Sequence, residues 1–156
     1  MVFSARGGIS LSQLAEELRT KDLYHAAFGA WARRNLEEAL SYVSDDIHHI
    51  LNVDGSIAPF AASTSSKVEL RQRLELLLNM FDFGALVTDD LIVRGREARA
   101  RMKIVYIHKP AEERLITTFR IIAHQRKGLF YRIEQYHDAA YIEAFARRVA
   151  MLKEDC

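Results

Sequence analysis

The chain has 156 residues and a formal net charge of +1; 49% of its residues are apolar and 28% are charged. This balance is typical of one soluble globular domain and gives no overall field that would recruit nucleic acid or a membrane surface. The only cysteine is Cys156, which excludes an intrachain disulfide and is compatible with the cytoplasm, where we expect the protein. We expect no signal peptide and no membrane span, because no run approaches the roughly 18 apolar residues that a span needs.

Two helices are predicted at the start of the chain. Ser10 and Gln13 have the spacing of a capping box, which predicts a helix over 11–34. The same spacing begins at Asn35 and predicts a short helix through Ser44.

An isolated strand is predicted next, over 47–53, where every second residue is either apolar or histidine. Strand parity puts His49 on the apolar face and His48 on the opposite face. Ser66 then begins a third helix, which carries leucines at helical spacing, and Gly84 is its predicted end.

The remainder of the chain alternates between apolar and polar residues, as strands do. Strands are predicted over 99–106, 115–125 and 129–137, and a short C-terminal helix follows Asp138. This order predicts an α+β fold in which a cone-shaped, curved antiparallel sheet wraps around about three N-terminal and middle helices.

The chain divides into three predicted parts. We expect a loose N-terminus over 1–9, a single α+β domain over 10–150, and a C-terminal tail over 151–156.

Three short stretches occur in a characteristic order. They are Ala30-Trp31-Ala32-Arg33-Arg34-Asn35-Leu36-Glu37-Glu38-Ala39-Leu40 running into Asp45-Asp46-Ile47, Ala58-Pro59-Phe60-Ala61, and Ile133-Glu134-Gln135-Tyr136-His137-Asp138 before Ala144-Phe145. In these stretches the chain resembles the nuclear transport factor 2-like superfamily, in its ketosteroid-isomerase-related or SnoaL-like polyketide cyclase branch. The resemblance implies a cone-shaped α+β barrel with a deep apolar cavity, a few polar groups in that cavity, and frequent homodimers.

The resemblance does not carry over the catalytic residues of ketosteroid isomerase. By spacing, Ala27 stands where the family has a tyrosine donor, Leu51 where it has an aspartate base, and Arg120 where it has a neutral aspartic acid. Tyr24, one turn before Ala27, is a candidate for part of the donor role. Without either carboxylate, we do not expect a steroid-isomerase mechanism.

The inward parity of the family predicts which side chains face the cavity. The expected polar groups are His49, Tyr106, Thr118, Arg120, Gln135 and His137. The expected wall also includes Tyr24, Phe28, Trp31 and Phe60.

His49 is the candidate acid/base group, because an apolar pocket lowers the pKa of an imidazole and keeps it neutral. The alternative is a core histidine that is satisfied by its neighbours. Tyr106 and Arg120 are candidates to stabilise an oxyanion, and Arg120 also to hold a carboxylate. The alternative for Arg120 is a structural ion pair with Glu134 or Asp138.

Asp138 is a further catalytic candidate, because an aspartate near the last strand recurs in the cyclase branch. Its position directly before the C-terminal helix also suits an N-cap. His48 and His49 point to opposite faces of their strand and cannot chelate one metal ion, so no metal is expected.

The sequence therefore predicts a protein that binds a small apolar or carboxylated molecule. Its expected activity is that of a cofactor-independent isomerase, cyclase or dehydratase. The alternative is a non-catalytic binding or dimeric assembly module with a filled cavity, in which the face with Arg99, Arg101 and Lys103 meets a second subunit. We expect a homodimer and neither nucleic-acid nor membrane binding.

Overall fold

A computed structural model describes residues 8–154 of the chain. The helices are α1 (Leu11–Ala32), α2 (Leu36–Ser41), α3 (Lys67–Met80) and α4 (Ala139–Glu154). The strands are β1 (Val43–Leu51), β2 (Phe81–Arg94), β3 (Glu97–His108), β4 (Arg114–Arg126) and β5 (Leu129–Tyr136). A single 3₁₀ turn, Pro59–Ala61, lies between β1 and α3.

The five strands form one curved, open sheet in the order β1-β5-β4-β3-β2. All neighbouring pairs are antiparallel except β1 and β5, which run parallel. Burial alternates along β3 and β4, so one face of the sheet packs against the helices and the other is exposed. The predicted α+β class, with a curved sheet around helices, is confirmed.

The junction between α3 and β2 differs from the prediction. The helix ends at Met80 and Phe81 begins a strand at once, whereas the sequence predicted that the helix would end at Gly84. Gly84 lies inside β2 at a register shift, and a Cβ added there would come within 3.1 Å of the carbonyl oxygen of Val105. The glycine therefore permits a close approach of two strands rather than ending a helix.

The first half of the chain also has different boundaries. The first helix ends at Ala32, and α2 ends at Ser41, three residues before its predicted end. Val43 already begins β1, which therefore includes Asp45-Asp46. The two aspartates are exposed, so the strand accommodates them while Val43, Ile47, His49 and Leu51 remain inside.

The C-terminal end of the chain also differs from the prediction. The fourth helix continues to Glu154, so much of the predicted tail over 151–156 is the last turn of a helix. Residues 1–7 of the predicted loose N-terminus, and Cys156, lie outside the described residues. Among residues 8–154, no helix is long and apolar enough to cross a membrane.

Candidate functional site

A cavity of about 70 Å³, measured as the space that the centre of a water molecule can occupy, lies between the inner face of the sheet and helices α1 and α3. Its wall is largely apolar and includes Phe28, Trp31, Phe60, Met102, Phe119 and Ile142. Five polar side chains line it: His49, Arg73, Tyr106, Gln135 and His137. Four of these five, and the three wall residues Phe28, Trp31 and Phe60, are where the sequence predicted them.

His49 is fixed on the inner face of β1 by pairing on both sides. Its backbone N–H donates to the carbonyl of Thr64 over 2.9 Å, and its carbonyl accepts from Thr64 over 2.8 Å. On the other side it lies opposite Ile133 of β5. The imidazole is 5% exposed, whereas His48 points outward, so the predicted parity is confirmed.

Arg73 is the cavity residue that sequence reasoning missed. It lies on α3 between Leu70 and Leu77, which are both buried, and it is itself only 6% exposed. Its spacing of three and four residues from those leucines places it on the buried stripe of the helix. That spacing is readable from the sequence, but a search for apolar stripes passes over a charged residue.

The guanidinium of Arg73 has few partners inside the protein. Its Nη2 donates to Nδ1 of His49, and its Nη1 lies 3.5 Å from the carbonyl oxygen of Phe60. Its Nε is buried and finds no hydrogen-bond partner within the described part of the chain. Among residues 8–152, no aspartate or glutamate is buried or lines the cavity, so the guanidinium has no buried counter-ion among these residues.

Arg73 sets the proton positions along a chain of hydrogen bonds. Because a guanidinium only donates, Nδ1 of His49 accepts and its Nε2 carries the proton. The terminal amide of Gln135 lies between His49 Nε2, at 3.1 Å, and His137 Nε2, at 3.0 Å. As placed, the amide Nε2 of Gln135 faces His49 and its Oε1 faces His137. Since two donors cannot bond, we exchange the amide nitrogen and oxygen, so that the oxygen accepts from His49 and the NH₂ donates to His137. Nε2 of His137 therefore accepts, and its Nδ1 keeps the proton.

Burial keeps both imidazoles neutral. Desolvation, with a smaller effect from the positive charge of Arg73, holds the pKa of His49 well below its usual value. The same two causes lower the pKa of His137 to about 4. Burial also lowers the pKa of Arg73 to about 10, so this side chain stays charged at neutral pH.

Tyr106 presents a further donor to the cavity. The indole Nε1 of Trp31, which can only donate, lies 3.1 Å from the hydroxyl oxygen of Tyr106, so the hydroxyl proton remains available. The ring stacks on Phe83, with centroids 4.5 Å apart. Burial raises the pKa of Tyr106 to about 12, which keeps the phenol protonated.

Comparison with known proteins identifies this architecture. No protein-family model and no curated protein matches the sequence. Among solved structures, an NTF2-like protein of unknown function from Burkholderia pseudomallei superposes with a TM-score of 0.70 at 14% identity, over 78% of this chain and 92% of that one. The chain has the nuclear transport factor 2-like fold.

Two further structural neighbours carry more specific descriptions. TerC, co-crystallised with polyporic acid, superposes with a TM-score of 0.72 at 12% identity, over 83% of this chain and 98% of that one. A candidate polyketide cyclase from Xanthomonas campestris superposes with a TM-score of 0.63 at 14% identity, over 81% of this chain and 98% of that one. At these identities the likeness establishes the fold.

Two residues that the sequence predicted in the cavity lie on the outer face of the sheet. Thr118 and Arg120 are exposed on the outer face of β4, while Phe119 and Ile121 between and beside them line the cavity. The prediction that Thr118 and Arg120 face inward is therefore wrong. Because 115–125 is apolar on both parities, the sequence alone did not decide which face was buried.

The alternative prediction for Arg120, an ion pair with Glu134 or Asp138, is also not borne out by the described contacts. Glu134 lies 3.2 Å from Arg132 instead. The guanidinium of Arg120 lies over the ring of Tyr136, 5.8 Å from its centroid.

Tyr24 and Asp138 have structural roles outside the cavity. Tyr24 is fully buried, but it packs beside Phe28 and its hydroxyl bonds Thr88 over 3.1 Å. It therefore lies behind the cavity wall and does not line the cavity, contrary to the prediction. Asp138 is exposed, and its Oδ1 accepts from the backbone N–H of Tyr141 over 3.3 Å. This is the N-cap that the sequence offered as the alternative to a catalytic aspartate.

Proposed function

We propose that the chain binds a small, mainly apolar molecule with an oxygen function in the NTF2-like cavity and catalyses a cofactor-independent proton transfer on it, of the isomerase, cyclase or dehydratase type. The observation that carries the proposal is an apolar cavity whose lining includes three hydrogen-bond donors: Arg73, Tyr106 and His137. That TerC was co-crystallised with polyporic acid supports an oxygenated ligand for this fold.

In this proposal the donors act on an oxygen of the ligand. A carbonyl or enolate oxygen that gains negative charge during the reaction is stabilised by donors already in place inside a dry cavity. The phenol of Tyr106 is protonated at neutral pH and donates a hydrogen bond to that oxygen while it keeps its proton.

His49 takes a different role from the one that the sequence suggested. Its Nδ1 is occupied by Arg73 and its Nε2 by Gln135, so neither nitrogen is free to receive a proton from a ligand. We propose that it is a positioning residue, which orients the guanidinium and sets the tautomer of His137.

A thermal-stability screen tests whether the cavity binds ligands. The panel contains cyclic ketones, epoxides, aromatic polyketide fragments and their carboxylates. A ligand at a thousand times its dissociation constant stabilises the folded protein by about 4 kcal/mol, which raises the melting temperature measurably. For a ligand that is turned over, Tyr106→Phe should lower kcat by about 100-fold without loss of folding. Silence across the whole panel would reject the proposal.

An assembly module remains the second candidate, and the outer face of the sheet favours it. Val87, Ile92 and Ile116 are each more than half exposed there. The basic residues beside them are balanced by acids, since Lys103 lies 3.6 Å from Asp89. We propose a homodimer through this face. Sedimentation that finds only monomer at micromolar concentration would contradict it.

A further inference from the structure

We propose that three polar side chains of the cavity form a binding site for an anionic oxygen group, which is a carboxylate or a stabilised enolate. Arg73 anchors this group, and Tyr106 and His137 complete the site. The inference rests on the proposed function, because it specifies the ligand class of the same cavity. It assigns the anchoring role to a residue of α3 rather than to the arginine of β4 that the sequence suggested.

The charge of Arg73 is unpaired among the described residues. A buried guanidinium is costly unless an anion or several acceptors surround it. Here the described residues provide one imidazole nitrogen and one carbonyl oxygen at 3.5 Å, and they leave Nε without an acceptor. A planar fork of donors with a free edge is suited to a carboxylate or an enolate.

The polar atoms that line the cavity with Arg73 are also donors. With the amide nitrogen and oxygen of Gln135 exchanged as above, His137 Nδ1 carries the proton, and this atom is buried without a hydrogen-bond partner within the described residues. The Tyr106 hydroxyl accepts from Trp31 and therefore directs its own proton elsewhere. The positive charge of Arg73 opposes the rise that burial causes in the pKa of Tyr106, and it adds to the fall that burial causes in the pKa of His137. Arg73 therefore lies within electrostatic reach of both groups.

A site lined by hydrogen-bond donors prefers ligands whose polar atoms only accept hydrogen bonds. A carboxylate or enolate oxygen has only lone pairs, so it satisfies each donor without leaving one opposed. An amide or alcohol of the same shape brings its own N–H or O–H against these donors and gives up the charge interaction with Arg73. The site also lacks a carboxylate base among the described residues, which suits a substrate that arrives already ionised.

The walls define the remainder of the ligand. Phe28, Trp31 and Phe119 line the cavity, and Phe119 stacks on His137 with centroids 4.1 Å apart. A second hollow of about 80 Å³ shares Phe28, Trp31 and His49 with the first and extends the apolar space. We therefore infer an aromatic or alicyclic body with the anionic group at its buried end.

Isothermal titration calorimetry on the full chain tests the inference with matched pairs of carboxylates and amides. The pairs are acetate and acetamide, benzoate and benzamide, and 2-naphthoate and 2-naphthamide, which differ in charge and protons rather than in shape. We expect the carboxylate of at least one aromatic pair to bind roughly tenfold or more tightly than its amide. Arg73→Met should abolish that preference.

Arg120→Met is the control, since it removes the same charge from the outer face and should leave the preference intact. Should Arg73→Met not fold, Tyr106→Phe provides the second test and should weaken the carboxylate more than the amide. A carboxylate preference that survives Arg73→Met would overturn the assignment to Arg73.

The two proposals fail in different ways. If amides and other neutral ligands bind as well as or better than the carboxylates, the anionic site is refuted and the small-molecule proposal stands. If no member of any pair and no neutral ligand of the wider panel binds, both are refuted.

Discussion

Replacing Arg73 by methionine should not destabilise the protein without ligand, although the side chain is almost fully buried. Burial lowers the pKa of Arg73 from 12.5 in the unfolded chain to about 10 in the folded protein. Below pH 10 the side chain is charged in both states, and the charge destabilises the folded state relative to the unfolded state. Each pKa unit corresponds to about 1.4 kcal/mol, so the charge costs about 3 kcal/mol of folding free energy at neutral pH. Methionine is similar in length and removes this cost.

The substitution also removes favourable contacts. Nδ1 of His49 loses its donor, and leaving a buried acceptor unsatisfied costs about 1–3 kcal/mol. The contact with the carbonyl of Phe60 is long, at 3.5 Å, and contributes little. The balance predicts a free energy of unfolding that is unchanged or raised by up to about 2 kcal/mol.

Urea unfolding followed by fluorescence measures this difference directly, because Trp31 is the only tryptophan and it lines the cavity. Arg120→Met, on the outer face, should change the free energy of unfolding by less than about 0.5 kcal/mol. A loss of about 3–5 kcal/mol in Arg73→Met would refute the reasoning, because that is the effect of breaking a compensated buried ion pair.

Two further predictions concern pH and capping. The free energy of unfolding should fall as the pH drops from 6.5 towards 4, because His49 and His137 stay neutral in the folded state and take up protons in the unfolded state. His137 has a folded-state pKa of about 4, so its share of this loss reaches about 3 kcal/mol. That share should be absent in His137→Phe. Urea midpoints across this range measure it, and a flat profile in the wild-type chain would contradict it. Asp138→Ala should cost about 1 kcal/mol of stability through loss of the N-cap of α4, with ligand affinity unchanged; altered ligand affinity at equal stability would instead favour a role in the cavity.

The fold was predictable because several signals agreed with one another. Capping spacings, the parity of β1 and the alternation of β3 each predicted an element, and their order predicted the curved sheet. The strand β2 was missed because Gly84 has the appearance of a helix end, and only its contact with Val105 explains it. That contact joins residues far apart in the chain, which no local pattern reveals.

Part of the site was also predictable from the sequence. The face of His49 was read from the alternation of its own strand, whereas Tyr106, Gln135 and His137 were predicted from the inward parity that the family resemblance implies. The orientation of β4 was not predictable, because both of its faces are apolar enough to be buried. Arg73 acquires its meaning from His49, which is 24 positions away on another element, so its chemistry emerges only when α3 and β1 are brought together.

The dependence of Arg73 on His49 allows a test that leaves the guanidinium in place. His49→Glu introduces a carboxylate beside Arg73, and this internal anion should occupy the donors that we assign to the ligand. We expect the affinity for 2-naphthoate to fall by at least about tenfold, although the cation is still present. His49→Gln is the matched neutral control, because it restores an acceptor without a charge and should keep the preference for carboxylate over amide. Calorimetry on the two variants distinguishes charge from shape: if both bind 2-naphthoate equally well, the unpaired charge of Arg73 does not anchor the ligand.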